Sequence, residues 1–172
     1  TKPIDGALWA DLQGRGFSIN GRESKRQVLF TFDDGPDHRA TPLLLDHLDF
    51  YGVKTVFFVN GHRMHSRRPD GAENVEVLRD IHRRGHVIGN HTFNHRDLSK
   101  MTEAQMMREI DNTSRLVEKI TGQRTWLFRP PFGKIGSAGR YLARQGYTTV
   151  MWSLDPLDWQ TSVPQDVFDR VD

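Results

Sequence analysis

Two carboxylates, Asp33 and Asp34, stand side by side in TFDDGP, where the apolar run VLFTF ends. Two imidazoles, His91 and His95, stand four residues apart in GNHTFNH, just after HVIGN. Two histidines and one carboxylate make a common open catalytic zinc set that leaves a position for water. The second carboxylate then stays free to act as a base. A cation in such a site also offsets the repulsion between adjacent aspartates. Each half taken alone has an ordinary reading. Asp, Gly and Pro are turn residues, and in a chain with eight histidines the spacing H-x-x-x-H also arises by chance. A second pair at that spacing, His82 and His86 in IHRRGH, is set aside. Gly85 stops a helix between them, so the two rings should not share a face, and a cation at His82 suits a helix C-terminus without further function. His38, His47, His62 and His65 read as surface or loop residues and receive no role.

The elements that must carry these groups recur as one kind of unit. VLFTF (28–32) precedes the helical stretch ATPLLLDHLDFYG, TVFFVN (55–60) precedes NVEVLRDIHRRG, and HVIGN (86–90) precedes TEAQMMREIDNTSRLVEKITG. WLFR (126–129) then leads to SAGRYLARQG, and TTVMWSL (148–154) to VPQDVFDRVD. In the longest helical stretch Met106, Ile110, Thr113, Val117 and Ile120 recur at helical spacing, behind a Thr102/Gln105 capping box. Gly85, Gly122 and Gly146 each fit a left-handed helix cap. The strands are continuous apolar runs, which indicates a sheet covered on both faces and therefore parallel. Five strand–helix units point to an α/β fold, either a barrel or a doubly wound sheet. In both, function gathers at the carboxyl ends of the strands. Those ends hold Asp33 and Asp34, Asn60, His91 and His95, Arg129, and Asp155 and Asp158.

The bulk numbers bound the rest. A length of 172 residues suits one domain with a real core, and 36% hydrophobic with 27% charged residues describes an ordinary globule. No run approaches the roughly 18 apolar residues that span a bilayer. Lys and Arg (24) nearly balance Asp and Glu (22), which argues against a nucleic-acid footprint. The absence of cysteine excludes disulfides, thiolate metal sites and a Cys nucleophile together. The N-terminal stretch TKPIDGALWADLQG lacks the pattern of a secretory signal, so any such signal is expected to have been removed or never to have existed.

With TFDDGP, HTFNH, RPPFG (129–133) and DPLDW (155–159) in this order, the chain resembles the polysaccharide deacetylases, the NodB-like carbohydrate esterases. The likeness extends from about Val28 to about Val171. It implies a distorted (β/α) barrel, with an N-terminal extension at 1–27 and a deacetylase catalytic domain at 28–172 that lacks its C-terminal strand or strands. It implies removal of acetyl groups from sugar polymers with a divalent metal, most often Zn2+, with Co2+ or Ni2+ as alternatives. On this resemblance Asp33 is the general base, Asp34, His91 and His95 hold the metal, and Arg129 pairs with Asp33 to orient it and keep it ionised. The Phe132 N–H joins the metal in stabilising an oxyanion, Trp159 with Phe132 lines the acetyl pocket, and Asp158 tunes a catalytic histidine. The expected substrate is an N-acetylglucosamine polymer outside the cytoplasm, peptidoglycan first and chitin-like or exopolysaccharide chains next. One departure stands out. The family takes its acid from a histidine in a late L-x-H motif, whereas the last histidine here is His95. A further segment or second fragment carrying that acid is therefore expected. A glycan-binding pseudoenzyme, an acetylxylan-type esterase and a small-molecule amide hydrolase are the competing readings.

Overall fold

Strands made of uninterrupted apolar residues need cover on both faces, and the fold supplies it with helices on one side and interior packing on the other. The computed structural model describes residues 18–19 and 28–171. Its six strands are β1 (Ser18–Ile19), β2 (Thr31–Gly35), β3 (Val56–Val59), β4 (Val87–Asn90), β5 (Leu127–Phe128) and β6 (Thr148–Val150). They form one sheet in the order β1-β6-β5-β4-β3-β2, and every neighbouring pair is parallel. The helices are α1 (Thr41–Phe50), α2 (Gly71–Arg83), α3 (Glu103–Thr121), α4 (Ala138–Arg144) and α5 (Pro164–Phe168). This is the expected α/β fold. Among the described residues the sheet is open, with β1 and β2 at its edges. Ser18–Ile19 fall within the stretch expected as an N-terminal extension, yet pair with β6. The rest of 1–27, and Asp172, lie outside the described residues.

Alternation along β3 divides the core. Phe57 and Val59 pack with Leu45 and Leu48 of α1, Val77, Leu78 and Ile81 of α2 and Val117 of α3. Val56 and Phe58 point the other way, into a cluster with Leu127 and Val150. Gly89 makes room there: it lies opposite Phe58 in register, and a Cβ at Gly89 would come within 2.4 Å of the Phe58 ring. A third cluster joins Met106 and Ile110 of α3 to Phe128, Leu142 and Tyr147. Each fully buried large side chain of this kind contributes about 1.5–3 kcal/mol.

The helix ends follow the local chemistry. Thr102 and Gln105 form the capping box reciprocally, and Gly85, Gly122 and Gly146 all have φ near +75°. Two strand boundaries differ from the sequence reading by more than two residues: the run 148–154 is strand only at Thr148–Val150, and β2 starts late. β2 was expected at Val28–Phe32 and instead runs through the aspartates, because Thr31 is the first residue to meet a partner, Val56, in β3. Val28, Leu29 and Phe30 are consequently exposed. From Trp152 to Val171 no residue is buried.

Candidate metal and catalytic site

Successive residues of a regular strand point to opposite faces, so Asp33 and Asp34 should diverge. They do not, because β2 bulges between them: Asp33 stands opposite Phe58 and Gly35 opposite Val59, leaving Asp34 as the extra residue. Asp34 has φ 66°, a left-handed conformation that aspartate tolerates better than most residues. A bulge at this place re-aims a side chain, and here it turns both carboxylates toward the same imidazole. His91 Nε2 lies 3.8 Å from Asp33 Oδ2 and 3.6 Å from Asp34 Oδ1. Arg63 supports the bulge by donating from Nε to the Asp34 carbonyl at 3.1 Å.

Asp33 is held from below by Arg129, whose side chain is buried at the end of β5. Nη1 donates to Asp33 Oδ1 at 2.8 Å and to Thr31 Oγ1 at 2.7 Å. Nε and Nη2 donate to the carbonyls of Val150 and Met151 at 3.1 and 3.0 Å. The guanidinium also lies over the Phe58 ring, 4.3 Å from its centroid. Burial draws the Arg129 guanidinium below its ordinary pKa, and the Asp33 carboxylate opposes that shift. The fork therefore ties β2, β5 and β6 together and leaves Asp33 little freedom to turn.

The histidines sit on a loop that folds back on itself after β4. Thr92 and His95 have φ 69° and 54°. Such backbone persists only when its surroundings dictate it. Here Thr92 N–H donates to Asn90 Oδ1, His95 N–H to Thr92 Oγ1, and Asn60 Nδ2 to the His91 carbonyl. His91 is buried, and its Nδ1–H donates to the Arg129 carbonyl at 2.6 Å, which frees Nε2 as a ligand. Burial pushes the His91 imidazole below its ordinary pKa, against the pull of Asp33, so the neutral ligand form is favoured. His95 Nε2 lies 3.3 Å from Asp34 Oδ1, and the two imidazole centroids are 5.0 Å apart.

One ligand atom each from Asp34, His91 and His95 falls within 4.8 Å of the others. Ligand atoms about 2.1 Å from a tetrahedral zinc stand roughly 3.4 Å apart. The measured 3.3 and 3.6 Å between each imidazole and Asp34 suit that ion. Donor chemistry, spacing and the free Nε2 of His91 all fit a divalent metal.

The polysaccharide deacetylase family model matches residues 20–150. The chain belongs to this family. A peptidoglycan-N-acetylglucosamine deacetylase of Bacillus cereus is 34% identical over 149 residues, which is 84% of this chain and 50% of that protein. This chain thus spans about half the length of that curated relative. In structure it resembles a peptidoglycan N-acetylglucosamine deacetylase crystallised with a naphthyl-substituted N-hydroxybenzamide. That likeness has a TM-score of 0.80 at 30% identity over 95% of this chain and 73% of the other. It also resembles a mutant of a CE4 family pseudoenzyme with restored enzymatic activity, with a TM-score of 0.80 at 27% identity over 94% of this chain and 57% of the other.

Against this deacetylase frame the predicted residues divide into two groups. Asp33, Asp34, His91, His95 and Arg129 converge within hydrogen-bonding or ligand distance. Phe132 joins them at the edge: it has φ 58°, and its ring lies 4.8 Å from that of His95. Among the described residues no hydrogen bond, ion pair or ring contact joins Asp158 or Trp159 to them. Both are exposed, and the Asp158 side chain has no hydrogen bond to a histidine among the described residues. The sequence reading passed over Thr31, Arg63, Asn90 and Glu109, and noted Asn60 only as a strand end. A signal existed for the asparagines: the apolar runs VFFVN and VIGN both end in Asn, a type that is buried only when its hydrogen bonds are met. Asn60 and Asn90 are fully buried here.

Proposed function

We propose that this chain is the metal-binding catalytic part of an enzyme that hydrolyses N-acetyl groups on an N-acetylglucosamine polymer, peptidoglycan before chitin-like chains. The convergence of the Asp34–His91–His95 set with the Arg129-braced Asp33 is the observation that supports it. Residues 28–172 are assigned to the catalytic domain, and the site of action to the cell exterior where such polymers lie. The helices among the described residues include none long and apolar enough to cross a membrane.

Asp34, His91 and His95 would hold a divalent ion, with zinc best suited to two imidazoles and a carboxylate. When bound, such an ion polarises a carbonyl and acidifies water. Asp33, fixed by Arg129, takes the proton from the attacking water. The Phe132 N–H donates to the developing oxyanion, a contribution of about 3 kcal/mol for one well-placed donor. Phe132 and Trp159 receive the acetyl methyl, and Asp158 acts on a histidine. Neither His91 nor His95 is free to protonate the leaving amine, since both face Asp34. That acid is assigned to a segment beyond these 172 residues.

Acetate release from chitooligosaccharides and from N-acetylated peptidoglycan, with zinc-loaded protein carrying its natural flanking sequence, tests the reading. Turnover that collapses in Asp33→Asn supports it. No acetate from any such polymer, with Asp33→Asn indistinguishable, overturns it. The pseudoenzyme neighbour motivates a second reading, glycan binding without turnover. Oligosaccharide binding that survives Asp33→Asn without acetate release selects that one.

A further inference from the structure

Glu109 is a carboxylate that the chemistry above does not use, and it is buried in the middle of α3. Both of its oxygens are committed to one residue of the histidine loop. Oε2 accepts the Asn94 backbone N–H at 2.6 Å, and Oε1 accepts from Asn94 Nδ2 at 2.7 Å. The next residue along α3 holds the other end of the same loop: the Ile110 carbonyl accepts from Asn90 Nδ2 at 2.8 Å. Two adjacent residues of one helix thus hold the loop at Asn90 and Asn94, the residues just before His91 and His95. Thr92 and His95 are in left-handed backbone, which the loop would leave if released. Asn94 is exposed, so a paired contact to a buried carboxylate is not explained by the burial of Asn94 itself.

We infer that Glu109 is a positioning residue for the metal set: through Asn94 it fixes the peptide that delivers His95 to Asp34, so that the loop is organised before any ion arrives. The inference rests on the metal-site reading. A carboxylate with two oxygens on neighbouring donors of one residue defines direction as well as distance, which a single hydrogen bond does not. An ordered ligand loop spares the ion the entropy of ordering it. Outer partners of this kind typically carry 10–100-fold in metal affinity.

The test is zinc affinity of the full chain, measured by competition with a chromogenic chelator below the melting temperature of each variant, with apo-protein melting recorded alongside. Glu109→Ala is expected to weaken zinc binding about 10–100-fold. Glu109→Gln is expected to stay within a few-fold of wild type, because a glutamine oxygen still accepts the backbone N–H and the Asn94 amide can turn to meet its NH2. Asn94→Ala, at an exposed position that does not threaten folding, should give a loss between the two. Ile110→Val serves as the control for destabilisation of the same helix, with lowered melting and unchanged zinc affinity. Wild-type affinity in Glu109→Ala and Asn94→Ala, with wild-type protein binding zinc, overturns the inference alone. A wild-type chain that takes up no zinc overturns both it and the metal-site reading.

Discussion

The chain contains two histidine pairs at the same spacing, at opposite ends of one strand, and they have opposite surroundings. His91 and His95 follow the carboxyl end of β4, where a folded-back loop turns both Nε2 atoms toward Asp34. His82 and His86 flank its amino end, with Gly85 at φ 76° between them. The cleft that both of these line, about 80 Å3, also presents Thr121, Gln123 and Arg124 but no carboxylate. His86 spends its Nδ1 accepting from the Thr55 N–H at 3.3 Å and packs edge-on against Phe57, and its buried Nε2 has no hydrogen-bond partner among the described residues. Spacing is therefore neutral as to function. A third donor of opposite charge, and a backbone that aims both rings at it, make the difference.

The sharpest way to break this contrast is to remove a ligand from one pair and a ring from the other. Asp34→Asn and His95→Ala should each weaken zinc binding by more than about 100-fold, beyond what outer partners cost, whereas His82→Ala should leave it within about twofold. Chelator competition reads both. Next in size, Arg129→Lys should lower kcat/KM on an N-acetylated oligosaccharide by about 100-fold or more, while zinc affinity holds. Lysine cannot reproduce a four-bond fork, but the carbonyl that orients His91 belongs to the backbone.

A third prediction uses pH to probe the amino-end pair. Burial pushes the His86 pKa down from 6.5 to about 4. The unfolded chain therefore binds the proton more readily, so the stability tied to neutral His86 is complete above pH 6.5 and is lost as pH falls toward 4. At pH 4.5 the loss should be about 2–3 kcal/mol, seen as a smaller acid dependence of urea unfolding in His86→Phe than in wild type. The smallest effect is expected at the residue that separates the rings. Gly85→Ala places a side chain at φ 76° with nothing within 4 Å of its Cβ, and should cost about 1 kcal/mol in thermal unfolding with zinc affinity unchanged.

Much of the architecture was legible because it is local or periodic. The apolar runs, the Thr102/Gln105 box and the three cap glycines each state their structure in a few neighbouring residues. The candidate site residues were picked out by type and order along the chain, and the fold brings five of the eight together with Phe132 at their edge. Three kinds of contribution were not. The start of β2 depended on where β3 could meet it, the Arg129 fork depended on carbonyls of β6, and Glu109 reaches Asn94 across 15 residues that only the packing of α3 brings near.

By itself, then, the sequence singled out the candidate site residues and the parallel strands whose carboxyl ends gather most of them, because residue type and hydrophobic periodicity are properties of short stretches. Only the tertiary structure decided that Asp33 and Asp34 face the same way and that one histidine pair, not the other, meets a carboxylate. Those outcomes turn on a bulge, a left-handed residue and the reach of one helix, and such geometry is settled by contacts between segments that are remote in the chain.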